Sequence, residues 1–222
     1  MKKIIYITLT LFMLVVMSMG CKRELDSEGV SRITYFPELK MSGDLVETVI
    51  VGTTYTEPGV KAYENGKEIT VTITGSVDSQ TPGAYVLTYT ATNKDGYSAS
   101  MSRMVGVITS EAATDDLSGS YQRNAGAQGV AVWTKIKDGV YLDSDVGGAK
   151  LAASVYVFNI KKDIIVVPHQ PLSGGGSDTY CTNADGSLEI PFTNGTVGTI
   201  CYKWVVINSG YGLSLRSFVK VN

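Results

Sequence analysis

The sequence predicts an all-β protein of two domains. Three observations carry that expectation. Beyond residue 20 the chain is rich in Gly, Thr, Val, Ser and Tyr, a composition that favours strands and tight turns. Several segments alternate apolar and polar residues with period two, the signature of half-buried strands. No stretch combines a helical period with caps.

Residues 1–20 begin with Lys2 and Lys3, run apolar from Ile4 to Met17, and close with Ser18, Met19 and Gly20 before Cys21. A basic start, a short apolar run and a small-residue close predict a secretory signal peptide. The run is shorter than the ~20 residues that cross a bilayer. Ser18-Met19-Gly20-Cys21 resembles a bacterial lipobox. That resemblance implies cleavage before Cys21, acylation of its thiol and a membrane contact through the lipid anchor, since two or more chains hold stably. Residues 21–32 are expected to be a flexible tether. Within them, Lys22-Arg23 followed by Glu24, Asp26 and Glu28 resembles the sorting stretch of exported Bacteroidetes lipoproteins, which implies an outer-membrane, cell-surface address. Removing residues 1–20 leaves 202 residues with 17 basic and 21 acidic groups, a net charge of −4. That balance argues against nucleic acid as a partner.

The first domain is expected over 33–108. Ile33–Phe36 reads as an edge strand ended by Pro37, and Leu45–Val51 as a second ended by Gly52. Val60–Tyr63 precedes the turn Glu64-Asn65-Gly66-Lys67, whose Asn-Gly pair is a hairpin signal. Ile69, Val71 and Ile73 alternate with threonines, and Tyr85, Leu87, Tyr89 and Ala91 share one face of the clearest strand. Asn93-Lys94-Asp95-Gly96 turns into a last strand ending near Ile108. About seven short strands in so few residues predict a sandwich.

Three segments in order, Gly52–Val60, Gly75–Asp78 and Thr81–Thr92, followed by Asp95-Gly96, resemble the bacterial immunoglobulin-like domain related to hyalin repeats. The resemblance covers about 44–108 and implies a spacer or adhesion module without catalytic residues.

Thr109–Asp116 is polar and reads as a linker. A second β domain is expected over 117–222, with strands near 119–123, 129–136, 139–143, 151–160, 163–168, 187–192, 199–207 and 211–221. Lys137-Asp138-Gly139, Ala184-Asp185-Gly186 and Asn208-Ser209-Gly210 are its turns. About eight antiparallel strands form either a barrel or a sandwich. Leu117–Tyr121, Asp138–Tyr141 and Asp143–Gly148 resemble an uncharacterised C-terminal domain of Bacteroides lipoproteins from glycan-utilisation loci. That resemblance implies a glycan ligand, with an outer-membrane importer or other surface lipoproteins as partners.

Sugar rings stack on exposed aromatics, so the aromatics facing water are the candidate carbohydrate-binding residues. Val130, Val132, Thr134 and Ile136 share one face of their strand, and Ala131, Trp133 and Lys135 the other. Burying the Val/Ile face would put Trp133 outside. Trp204 is on a strand whose two faces are both apolar, which leaves its side open. Tyr141 shares a face with Asp143 and Asp145, and Tyr180 and Tyr211 stand beside loops.

No catalytic residue is assigned. The single histidine, His169, lacks a marked nucleophile partner. No cofactor or metal is expected: there is no His/Cys cluster, and Asp143-Ser144-Asp145-Val146-Gly147 lacks the later Glu of a calcium loop. Gly174-Gly175-Gly176 reads as a flexible loop with no helix behind it. Cys181 and Cys201 are expected to form a disulfide in an oxidising compartment, worth roughly 3 kcal/mol in the chain-entropy picture. The functional expectation is a non-catalytic surface lipoprotein that binds a polysaccharide or oligosaccharide through its C-terminal domain. The alternative is a structural or adhesion lipoprotein that contacts protein partners.

Overall fold

The computed structural model describes residues 33–173 and 176–222. The signal peptide 1–20, Cys21, the tether 21–32 and two glycines of the 174–176 run lie outside the described residues.

Seven strands build the first lobe: β1 (Glu38–Met41), β2 (Val46–Ile50), β3 (Val60–Glu64), β4 (Lys67–Ile69), β5 (Val71–Thr74), β6 (Gly83–Thr92) and β7 (Ser98–Ile108). They form a sandwich of two sheets, ordered β1-β3-β4 and β2-β7-β6-β5, with β2 parallel to β7 and the other pairs antiparallel. Asn65 and Gly66 both take positive φ, as the tight turn between β3 and β4 requires. No strand forms over Ile33–Phe36, and the chain enters the sheet only after Pro37. The strand expected across Ile69–Ile73 breaks at Thr70, so its halves serve opposite sheets.

Between the sheets Leu87, Tyr89 and Val105 pack with Leu39, Met41, Val60 and Val71. Arg103, fully buried among them, donates to the carbonyls of Ser42 and Asp44 and pairs through Nε with Glu57 Oε1 at 3.1 Å. Glu57 also accepts from the Tyr55 hydroxyl (2.6 Å) and the Gly59 N–H (2.8 Å). Burial would raise the Glu57 carboxyl, but these hydrogen bonds, with Tyr89 and the Arg103 charge, outweigh it and hold it below the usual range. A buried charge satisfied from several directions pins both loops to one strand.

The second lobe contains β8 (Gly119–Arg123), β9 (Val130–Lys137), β10 (Val140–Asp143), β11 (Val155–Lys161), β12 (Ile164–Val166), β13 (Gln170–Pro171), β14 (Asp178–Thr182), β15 (Ile190–Pro191), β16 (Ile200–Ile207) and β17 (Leu215–Lys220). Their order is β13-β14-β16-β17-β8-β9-β10-β11-β12-β15, and every pair is antiparallel. The sheet curls until its ends meet. Phe192, just past β15, bridges to Tyr202 of β16, the Thr193 N–H donates to the Cys201 carbonyl (2.8 Å), and the Cys181 N–H donates to Val167 O (3.3 Å). The short β14 and β15 thus share the seam of a barrel, which decides between barrel and sandwich.

The expected linker is ordered. Helix α1 (Ser110–Thr114) starts at Thr109, whose side chain accepts from the Ala112 N–H. Asn159 of β11 donates to Ala112 O (3.3 Å) and Asp115 Oδ2 (3.2 Å), tying the segment across one end of the barrel.

The lobes also pack face to face, and Tyr35–Asn222 form one compact unit. Val46 and Met104 of the four-stranded sheet meet Val140, Phe158, Ile160 and Val166 of the barrel in one apolar cluster. Phe158 lies against Gly106, where an added Cβ would fall 2.6 Å from its Cδ1. At the edge of this junction Lys137 reaches Asp44 (3.1 Å) and Glu47 (3.5 Å).

The expected disulfide is absent: Cys181 and Cys201 are both free and buried. Cys181 stands opposite Val206 on β16, five residues beyond Cys201. At ~3.3 Å per residue that offset is about 16 Å along the strand. A disulfide needs Cα atoms roughly 4.4–6.8 Å apart.

Two outcomes are expected. Gly106→Ala pushes into Phe158 and lowers stability by about 1–3 kcal/mol in urea unfolding, and a midpoint equal to wild type would show that the junction tolerates the methyl group. Without reductant, Cys181 and Cys201 both alkylate once the protein is denatured and neither does in the native state. A peptide map showing them joined would overturn the free-thiol assignment.

Candidate functional site

Three of the five aromatics expected to bind sugar are inside the barrel. Trp133 is 1% exposed and is ringed by Tyr202, Tyr121 and Phe192 at centroid distances of 4.9, 5.1 and 5.6 Å. Trp204 is fully buried and donates its indole N–H to Val146 O (3.0 Å). Tyr141 donates its hydroxyl to Asp115 O (2.8 Å) and accepts from the Leu117 N–H (3.1 Å). The expected facing of β9 is therefore reversed. Val130, Val132 and Ile136 are outside, at 41%, 45% and 47% exposure. The physical reason is volume: a closed barrel of this strand number leaves an interior that large side chains must fill. Lys135 and Lys137 sit where that face runs out of the barrel and reach Asp138 (3.1 Å) and Asp44.

Asp143, fully buried, shares the interior. Asp143 Oδ1 accepts from the Asp145 N–H (2.8 Å), while Oδ2 is buried without a well-directed partner. Desolvation raises its pKa to about 7 against the help of the Asp145 N–H and the neighbouring Trp133 indole. Burial likewise pushes the Cys181 thiol and the Tyr202 hydroxyl up.

The other two candidates are half-buried near the surface. Tyr211 covers the barrel end formed by loops 144–150 and 208–214. Tyr180, on the outward side of β14, stacks on His169 with centroids 3.9 Å apart. His169 Nδ1 is 2.7 Å from Asp178 Oδ2, and His169 is one wall of a groove of about 370 Å³ at the junction of the lobes. Tyr156 and Pro171 line it from the barrel, and Leu45 and Met104 from the sandwich. Gln170 holds this wall in place by accepting from the Tyr156 N–H (2.7 Å) and donating to Tyr156 O (2.9 Å).

The groove is lined mainly by apolar surface, with Met101 beside two serines on its sandwich side. Those serines are Ser100 and Ser102. They belong to a run of hydroxyl pairs across β6 and β7: Thr88 with Ser102 (3.2 Å), Thr90 with Ser100 (2.9 Å) and Thr92 with Ser98 (2.8 Å). Aromatic walls beside paired hydroxyls can hold a ligand with apolar C–H faces and polar edges. Among the described residues no serine or cysteine hydrogen-bonds the His169 ring, and no group of three or more His, Cys, Asp or Glu is placed to hold a metal. Sequence reasoning missed Tyr156, although its alternation with Val155 and Val157 marks it as outward-facing on a doubly covered strand.

Because the folded Asp143 carboxyl binds its proton more tightly than the unfolded one, its contribution to stability is complete below about pH 4 and is lost as pH rises toward 7. Asp143→Asn should remove that slope, gaining on wild type by up to about 1.4 kcal/mol per pH unit through this window. Parallel unfolding curves of the two proteins at every pH would refute the assignment.

Residues 39–107, just under a third of the chain, match the family model described as a bacterial surface protein, Ig-like domain. No curated protein matches the sequence. Among solved structures, a lipoprotein of Bacteroides thetaiotaomicron is 27% identical over 83% of this chain and all of that one, with a TM-score of 0.36. The M60 catalytic domain of Clostridium perfringens ZmpB with its CBM51-1 and CBM51-2 domains is 15% identical over 86% of this chain and 22% of that one, TM-score 0.31. A CBM51-2 domain of ZmpB in complex with GlcNAc, with INT domains, is 14% identical over 83% of this chain and 44% of that one, TM-score 0.29. Residues 39–107, within the first lobe, are thus similar to a bacterial surface Ig-like domain.

Proposed function

We propose that the protein is a non-catalytic cell-surface lipoprotein of a glycan-utilisation system, held in the outer membrane through Cys21, that binds an oligosaccharide or polysaccharide in the groove between sandwich and barrel. The observation that carries this reading is the groove's composition. Tyr156, His169 and Pro171 offer flat and apolar walls to sugar C–H faces, and Ser100 and Ser102 offer hydroxyls to sugar edges. The match of residues 39–107 to a surface Ig-like domain supports the cell-surface location. An outer-membrane importer or a neighbouring surface lipoprotein would take the bound glycan onward. Trp133, Tyr141 and Trp204 support the fold of the binding lobe and do not touch ligand.

A second reading, a structural or adhesion role with protein partners, has one observation in its favour. Val130, Val132 and Ile136 form an apolar stripe on the outer face of β9.

A glycan array with the full chain tests the first reading, followed by titration of the glycan it selects. Tyr156→Ala should weaken that binding about tenfold or more, whereas Val132→Ser should leave it unchanged. Equal binding by wild type and Tyr156→Ala would remove the groove as the site. Binding to no glycan would favour the protein-contact reading, in which Val132→Ser is the damaging change.

A further inference from the structure

The barrel end covered by loops 144–150 and 208–214 gathers two arginines, and among the described residues no acid is paired to either. Arg216, 5% exposed, projects inward from β17 and donates to Ser214 O (3.0 Å) and Gly212 O (3.1 Å). Its Nε is buried and meets no acceptor. Its guanidinium is 5.3 Å from the centroid of the Tyr211 ring, and the Tyr211 hydroxyl is also buried without a partner. Arg123, at the end of β8, donates to Gly147 O (3.4 Å). Gly147 and Gly148 bring these side chains together. A Cβ on Gly147 would fall 2.3 Å from Tyr211 Cε1, and one on Gly148 would fall 2.6 Å from Arg123 Cβ.

Among the described residues neither arginine forms an ion pair. Asp145, on the same loop, gives its carboxylate to the N–H groups of Ala149 (3.1 Å) and Lys150 (2.7 Å). Asp143 lies deeper, beside Trp133. Burial, and then the Arg123 charge, both disfavour the charged form of Arg216. A buried cation left to carbonyls and an aromatic face is costly, and a counter-charge at this place would relieve it.

We propose that this end of the barrel binds an oxyanion, a carboxylate or a sulfate, between Arg123 and Arg216 with the Tyr211 hydroxyl as a further donor. The guanidinium fork suits both groups, because two parallel N–H bonds match two oxygens. This site is separate from the groove and does not depend on the glycan reading.

The test follows the Arg216 Nε–H resonance of the isotopically labelled full chain, identified by its loss in Arg216→Lys. Titrations with sulfate, glucuronate and neutral glucose are compared at ionic strength matched with chloride. Sulfate or glucuronate should shift the resonance saturably and glucose should not, and Arg123→Gln should weaken the response about tenfold. A resonance unmoved by both anions, or an equal response in Arg123→Gln, overturns the proposal. A shift with sulfate alone supports an inorganic anion as the ligand, and a shift with glucuronate supports an acidic sugar. Tyr156→Ala leaves these titrations unchanged, so the groove and the anion site stand or fall separately.

Discussion

The rest of the molecule depends on the contact between Gly106 and Phe158. A four-stranded sheet whose outer face stays wet would need polar residues throughout, yet β2 and β7 present Val46 and Met104 there. β11 makes the complementary demand. Val155 and Val157 face the barrel interior while Phe158 and Ile160 face outward, so both of its surfaces need cover. Only a residue without a side chain at 106 lets the Phe158 ring reach the sheet. That approach sets the spacing of the lobes, the groove beside them, and the reach of Lys137 to Asp44 and Glu47. The protein is therefore built less as a binding module on a stalk than as two β layers that complete each other.

What the sequence made legible follows from what alternation encodes. A period of two tells which residues share a face, and it grouped Val130 with Val132 and Ile136, and Trp133 with Ala131, correctly. It does not tell which face is inward. Ranking faces by aliphatic content favours Val and Ile, but a barrel interior is a volume to fill, and there Trp133, Trp204, Tyr121, Tyr141 and Tyr202 outcompete smaller residues. The strand ends compound the error, since Lys135 and Lys137 on the Trp133 face look polar in sequence although both reach past the barrel rim. The same limit applies to the cysteines. Two residues on neighbouring strands pair only in register, and register was not in the sequence pattern.

The sandwich was more readable because its turns are chemically explicit: Asn65-Gly66 and Asn93–Gly96 both end up between paired strands. Its buried ion was readable too and went unread. Arg103 falls on the same alternating face as Met101, Val105 and Val107, which marks it as an inward charge in need of an acid. Glu57, in the Tyr55–Gly59 segment, is that acid. The groove was the least legible part. Tyr156 and His169 come from the barrel, Leu45 and Met104 from the sandwich, and none of the four is near in sequence to a member of the other lobe. Only the packing of the lobes creates the site.

The parallel pairing of β2 with β7 has a mechanical side. The five register pairs from Val46–Met104 to Ile50–Ile108 are extended at both ends by the Met104 N–H to Leu45 O and the Val51 N–H to Ile108 O bonds. Tension entering before β2 and leaving after β7 runs along both strands in opposite senses. Such a load is carried in shear by all the rungs at once, whereas a hairpin pulled from its open end unzips one rung at a time. When the chain is drawn apart from the two sides of the sandwich, that ladder is where it resists extension.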